Sequence, residues 1–395
     1  MRNYLKTTVG IALSLGMTTA TIANVSIGSL QGYTGPLESL IGDIHDGTML
    51  AATEANASGA YIHGTISVPQ GDSKCIDADA AIAEAERLIN DENVIGIVGP
   101  NCSGVTTAVI NNVTAPMGVV NISPSATSPA LSTIEDNGFF FRTAPSDARQ
   151  GQVIAAIAIS RGITSVAVTY VNNDYGKGLA DAFVGAYEAL GGTVTVNSGH
   201  ESGKADYAAD VASLSAGGSS VLCVFGYADG GALSLTTASI DTGAFDSYIF
   251  ADGMIGSGAA LGGLAGLDGS WGTAPGGSDS AASWARVTAA AGINSSGPYS
   301  GEAYDAMALI ILASQAAGST DRAAIQAAIM GVANAPGVQV YAGEIGKGLE
   351  ALRGGAQIDY VGATGVEFND VGEVKGSYLE YDIVGTTWTS IKTHK

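Results

Sequence analysis

Positive charge is scarce in this chain: 16 Lys and Arg stand against 37 Asp and Glu over 395 residues, a formal net charge of −21. A surface of that sign argues against nucleic acid or an anionic membrane as partner, since phosphate binding needs clustered cations. Four histidines and three cysteines leave little material for a His/Cys metal centre. Long apolar runs are missing too; the run from Ala306 to Ala317 is too short to span a bilayer. The usual catalytic and nucleotide signatures are absent. There is no Gly-x-Ser-x-Gly elbow and no phosphate loop, and the pairs Gly256/Gly258 and Gly346/Gly348 lack the third glycine of a dinucleotide fingerprint. His200-Glu201 has no second histidine one turn on, and His45, His63, His200 and His394 read as scattered, solvated residues. An enzyme is not expected, nor is a cofactor.

Enough apolar material remains, at 46% of residues, to build the cores of two ordinary domains. Residues 1–23 read as a signal peptide: Arg2 and Lys6 precede the apolar stretch Val9 to Ala20, and small residues follow at Thr21 and Ala23. Its removal leaves 14 basic residues against 37 acidic ones, a formal charge of −23. No cysteine follows the apolar stretch, so lipid attachment is not expected and the mature protein should be exported and free in solution. Export permits a disulfide. Cys75 lies in a polar loop, Cys102 follows a strand, and Cys223 sits inside the apolar run Val221 to Phe225, where a free thiol behaves as a small apolar residue. The expected bond is Cys75–Cys102, although three cysteines allow three pairings and the sequence alone does not choose among them.

Short β-rich runs alternate with amphipathic helical ones. Strands are expected at Val25–Leu30, Tyr61–Val68, Val94–Val98 and Gly118–Ile122, with helices from Leu37, over Asp77–Ile89 and over Ser103–Val113. The pattern then restarts: a helix over Gln150–Ser160, the strand Ser165–Tyr170, a helix over Gly178–Leu190, and strands at Thr193–Val196, Val221–Phe225, Tyr248–Phe250 and Ser270–Thr273. Helices at Gly301–Ala317 and Asp321–Val332 and strands at Gly365–Phe368 and Ser377–Val384 close the chain. Continuous apolar strands separated by helices imply parallel sheets covered on both faces, here as two doubly wound α/β units.

Ligands of such sheets sit beyond the carboxyl ends of strands. Three strand-end segments stand out. One is the loop Gln31–Pro36; the next is Val98–Thr106, which places Ser103 as a helix N-cap; the third is the hydroxyl-rich turn Asn121–Pro129. A helix N-terminus offers free N–H groups and a positive dipole end, suited to a carboxylate.

Taken in order, Gly99–Ser103, Ile122–Thr127, Phe141–Thr143, Asn173–Gly176, Phe225–Tyr227 and Glu302–Asp305 resemble the motifs of the Leu/Ile/Val-binding periplasmic receptors of amino-acid ABC transporters. The resemblance spans the chain from Ile27 to Gly372 and implies two lobes joined by three hinge crossovers, near Thr143–Pro145, Thr273–Pro275 and Thr364–Gly365. Lobe 1 would comprise 24–143 with 275–363, and lobe 2 would comprise 144–274 with 364–395. It also implies a disulfide at Cys75 and Cys102. The ligand's carboxylate would meet Ser103 and the Thr127 N–H, and its ammonium would meet the Ser125 carbonyl, the Thr127 hydroxyl and Asp252. Tyr175 and Tyr227 would close over it. The family's apolar residue before the motif cysteine is Asn101 here, the first-lobe tyrosine is replaced within Glu38–Leu40, and Asp252 is shorter than the family's Glu. The implied ligand is therefore an amino acid, branched-chain or polar, with an amide, urea or small organic or aromatic acid as alternative. The implied location is the periplasm and the implied partner an inner-membrane ABC permease; a sensor docking on a membrane receptor would use the same closed surface. An exported hydrolase using Ser103 lacks a nearby base.

Overall fold

The apolar runs at Val94–Val98 and Val221–Phe225 end up central in two separate sheets. The computed structural model describes residues 24–256, 261 and 264–395; the expected signal peptide, and Gly258, lie outside the described residues. In the first sheet five parallel strands lie in the order Gln70–Asp72, Gly28–Gln31, Gly96–Val98, Val120–Ser123, Phe140–Arg142. In the second, Thr193–His200, Ser165–Val171, Val221–Phe225, Ser247–Phe250 and Trp271–Pro275 are parallel, and Tyr378–Val384 and Thr387–His394 extend the edge antiparallel. Both parallel sets have the same doubly wound order, second-first-third-fourth-fifth. Each therefore has a switch point between its first and third strands, where a crevice opens at the carboxyl ends.

The chain passes between the sheets after Arg142, after Pro275 and between Gly362 and Tyr378. The middle return carries the helix Ser300–Ala317, which is buried over nearly its whole length. It crosses the helix Glu38–Ser58 at Gly47, where any Cβ would collide with the Ser300 carbonyl. Four bonds to Asp305 fix the last crossing: its carboxylate accepts from the Tyr360 hydroxyl (2.8 Å), the Ala363 N–H (2.7 Å) and the N–H and hydroxyl of Thr364 (2.9 and 2.7 Å).

Several expectations need correction. The first strand breaks at Ile27 into Asn24–Ser26 and Gly28–Gln31, which join different sheets. The run Tyr61–Val68 is extended only over Thr65–Ser67, because Tyr61 turns inward to bond Ser314 (2.8 Å) and Pro69 has no N–H to continue the ladder. Gly365–Phe368 forms no strand; the Asn334 side chain takes both the N–H and the carbonyl of Phe368 (2.8 Å each) in place of a neighbouring strand. His200 is buried rather than solvated: Thr169 hydrogen-bonds its ring (2.9 Å), and burial pushes its pKa down to about 4. The helices Ala281–Ala291 and Ile345–Arg353 and the edge strand Thr387–His394 were not anticipated.

Arg142 is fully buried at the first crossing and is paired with Glu373 (2.7 Å). Its guanidinium also donates to the Ala126 and Ser128 carbonyls (3.1 and 2.9 Å) and to Ser132 (2.8 Å). Arg142→Met should cost about 3–5 kcal/mol, because Glu373 is left buried without a partner. Adding Glu373→Gln should restore much of that loss. Urea denaturation of both variants checks this, and equal stability of the single and double variants would contradict it.

Candidate ligand-binding site

Site residues arise where the strands of both sheets run out around their switch points. After Val98 the chain turns through Gly99, whose φ of +106° and close approach to the Leu30 carbonyl exclude a side chain. Cys102 then caps the helix Ser103–Val109, which continues through a wider turn at Ile110–Thr114. Ser103 is thus the first helical residue and not the N-cap. Its hydroxyl accepts the Ser128 N–H (3.1 Å), tying this helix start to the hydroxyl-rich turn after the next strand. The Cys75–Cys102 disulfide fastens the same point to the loop after Asp72, and Cys223 is a buried free thiol in the second sheet.

Asn101 is committed to structure. Its carbonyl accepts the Gly32 N–H (2.9 Å) and its amide donates to the Ser125 hydroxyl (3.1 Å), so it knits together the three strand-end segments. Thr127 is buried with no hydrogen-bond partner for its hydroxyl. The Arg142 bonds to the carbonyls at 126 and 128 fix the backbone on either side of it.

The second sheet supplies the aromatic side. Asn173 caps the helix Asp174–Ala189 by accepting the Gly176 N–H (2.9 Å), so this helix begins four residues earlier than its apolar pattern indicated and carries Tyr175 in its first turn. Tyr175 and Tyr227 stack, with centroids 4.9 Å apart. Asp252 receives the hydroxyls of Tyr175 (3.0 Å) and Tyr299 (2.6 Å).

Two further residues belong here. Asp147, at the start of the helix after the first crossover, is wholly buried; its N–H donates to the Thr127 carbonyl (2.8 Å), while neither carboxylate oxygen has a hydrogen-bond partner. Its pKa stands well above the ordinary value through burial and then through repulsion from Asp252; Thr127 and Arg142 offset this only partly. The Asp252 pKa is also raised by burial, against the pull of its tyrosine donors. Tyr299 reaches Asp252 from the middle return of the chain. The Ser146 N-cap and Asp147 lay in the sequence as a helix start, but nothing in that pattern distinguishes a ligand-facing acid from one placed for the helix dipole.

The structure therefore brings Ser103, Ser125 and Thr127 to one side of an interface and Tyr175, Tyr227 and Asp252 to the other, with Asp147 adjoining both. Across that interface Asp229 accepts the N–H of Ser39 (2.8 Å) in the first turn of the helix Glu38–Ser58, whose own N-cap Leu37 has no acceptor. Asp174 lies beside Gly104 and accepts from the Thr107 hydroxyl (3.4 Å). Among the described residues no cluster of His, Cys, Asp and Glu could hold a metal ion, and no helix is long and apolar enough to cross a membrane.

Residues 24–351 match the periplasmic binding protein family, and the chain belongs to that family. Its architecture is the type I form associated with branched-chain amino acid receptors. It is 29% identical over 364 residues to the chemotactic signal transduction system substrate-binding protein BasB of Halobacterium salinarum, covering 86% of this chain and 82% of that one. It is 30% identical over 236 residues to Leu/Ile/Val-binding protein homolog 3 of Brucella melitensis, covering 59% of this chain and 63% of the other. The chain thus spans somewhat under two thirds of that relative. Two crystal structures share the fold: a leucine-binding protein of Thermotoga maritima (TM-score 0.78, 19% identity, 94% and 98% covered) and a solute-binding protein of R. palustris in complex with benzoate (TM-score 0.74, 15% identity, 94% and 96% covered).

The unpaired acid at 147 has a stability consequence of definite sign. Its folded pKa lies above its unfolded one, so the penalty is absent below the ordinary value of 3.8 and grows as pH rises toward the folded value. Asp147→Asn should therefore raise the thermal midpoint of the ligand-free protein at pH 7, and the gain should shrink toward pH 4. Scanning calorimetry at both pH values checks it; a lower midpoint at neutral pH would contradict the burial of an unpaired charge.

Proposed function

We propose that this protein is a periplasmic receptor that captures a free α-amino acid between two lobes and delivers it to an ABC permease. The lobes are 24–143 with 275–363 and 144–274 with 364–395, and the crossings near residues 143–145, 273–275 and 364–365 act as hinges. Binding energy is used to hold the lobes closed, with no chemistry on the ligand.

One observation carries this: orphaned donors and acceptors of opposite kinds face one another in a single buried place. The Ser103 hydroxyl, already accepting from Ser128, keeps its proton for a ligand carboxylate, beside N–H groups at the helix start and at Thr127. Beside them the Asp147 carboxylate is wholly buried with only the neighbouring Thr127 hydroxyl against it and no cation in an ion pair with it, and a buried charge left so poorly matched marks a place where something else binds. An ammonium group would satisfy Asp147, the Ser125 carbonyl and Asp252 together. Tyr175 and Tyr227 would cover the ligand. An aromatic acid or other carboxylate without an amine would bring no cation to Asp147 and Asp252, which favours the amino acid over the organic-acid alternative.

The hydrogen bond from Ser39 to Asp229 supports closure as the working motion, because it joins the two halves without touching the ligand site. A sensory role, docking the same closed surface on a signalling receptor, is a second reading prompted by the chemotactic relative.

Thermal-shift screening against the common amino acids, urea, short amides and benzoate tests the ligand class. An α-amino acid should stabilise the protein, and stabilisation by benzoate or an amide alone overturns the assignment. With the ligand found, Thr127→Ala should weaken it about 10- to 100-fold, corresponding to about 1.5–3 kcal/mol for a buried hydrogen bond to charge. Titration calorimetry returning unchanged affinity would remove Thr127 from the site. Asp229→Ala should weaken the same ligand several-fold by releasing the closed form, with the effect shrinking at high salt. If affinity is indifferent to Asp229, that contact does not contribute to closure.

A further inference from the structure

A cavity of about 990 Å³ lies against the three crossings, bounded by Thr143 and Pro145 from the first, residues 274–278 from the second, and Ala363 and Thr364 from the third. None of Ser103, Thr127, Asp147 or Asp252 lines it. Its walls are largely apolar and aromatic, including Trp284, Leu379, Tyr381 and Trp388. One acid lines it. Glu302, only 6% exposed, has no side-chain partner among the described residues; its backbone carbonyl accepts the Thr143 hydroxyl (2.8 Å) and so ties its helix to the first crossing. Burial raises the Glu302 pKa to about 8, opposed by a bond from its own backbone N–H and reinforced by Asp305 one turn on. A lone buried carboxyl in an aromatic enclosure answers to a ligand with an apolar body and a single cationic or strong donor head.

We propose that this hinge cavity is a second binding site, for a small aryl- or alkylamine whose ammonium pairs with Glu302 while its apolar body packs against Trp284, Leu379 and Tyr381. Because all three crossings line the cavity, an occupant makes different contacts when the lobes open, so its binding is coupled to closure. Tyr299 supplies a direct connection: it lines the cavity while its hydroxyl donates to Asp252 in the cleft (2.6 Å). The coupling rests on the receptor function proposed above; the amine site itself does not.

Titration calorimetry with 2-phenylethylamine as probe tests it, with phenylacetate as the anionic control. The wild-type protein should bind the amine and not the acid. Glu302→Gln should weaken the amine at least tenfold, and Ala281→Phe, which adds a ring at the cavity rim, should do the same while leaving the acid in place. Asp147→Asn and Thr127→Ala should leave amine binding within about twofold. The reverse pattern, binding lost with Asp147→Asn and kept in Glu302→Gln, would mean the amine occupies the cleft, and no binding at millimolar concentration would mean the cavity has no such ligand; either overturns the proposal. Coupling is read separately: saturating amine should change the affinity of the cleft ligand by the factor with which that ligand changes amine affinity. If no amino acid binds the cleft, the Glu302-dependent amine binding still stands or falls alone.

Discussion

The site depends on one buried guanidinium. Arg142 ends the last strand of the first sheet, and its donors hold the carbonyls on either side of Thr127, the Ser132 hydroxyl and Glu373 from the last return of the chain. Such a fork can fix a turn because its donors lie in one rigid plane, which a lysine could not supply. The Thr127 turn holds Ser103 through Ser128, and it receives the N–H of Asp147, so strand end, helix start and first crossover are set by one cation. The scarcity of Lys and Arg in this chain is therefore not an absence of cations from the site. Arg142 stands one layer behind the proposed site, where its donors order backbone carbonyls and pair with Glu373.

The acids are arranged in the opposite sense. Asp147 and Asp252 are buried close enough to repel one another; Asp252 receives two tyrosine hydroxyls, whereas Asp147 has only the neighbouring Thr127 to offset its burial, with the more distant charge of Arg142. A protein selected for stability alone would replace one of them. Their retention is intelligible if an incoming ammonium supplies the missing charge, since a pocket strained when empty gains most from the ligand that relieves it. The same logic separates Asp305, whose four bonds satisfy it within the fold and mark it as a structural acid.

The doubly wound units were legible because parallel sheets covered on both faces write themselves as continuous apolar runs, as at Val94–Val98 and Val221–Phe225. Strand-end loops followed from topology, and the two-one-three-four-five order of both sheets explains why Ser103, Tyr175 and Tyr227 all lie beside a switch point. What failed was local. Tyr61 and Phe368 sit in runs of strand-like composition, but their backbone or side-chain groups are taken by Ser314 and Asn334, residues distant in sequence. Asn101, expected to face a ligand, also bonds Gly32 and Ser125 across two neighbouring strand ends, contacts its sequence position does not announce. Asp147 carries no signal in the sequence, because an acid in the first turn of a helix is accounted for by the helix dipole; only its burial beside Asp252 distinguishes it. His200 was misread for the converse reason, since polarity in sequence says nothing about a partner such as Thr169 one strand away.

The closure proposed above would face an electrostatic difficulty in so acidic a molecule, because acids far outnumber the cations that could be set against them. The contacts across the cleft avoid it by setting carboxylates against helix starts. Asp229 accepts from the first turn of Glu38–Ser58, which lacks a cap of its own, while Asp174 accepts from the Thr107 hydroxyl (3.4 Å) on the helix that begins at Ser103. A helix start offers positive potential and free N–H groups without a cation. The ligand carboxylate proposed here would be held in the same way, at the helix start beside Asp174. One device, backbone N–H against carboxylate, would then serve both for holding the ligand and for holding the lobes. A chain of this composition can repeat it at several places, because it draws on the peptide backbone and not on the few basic side chains available.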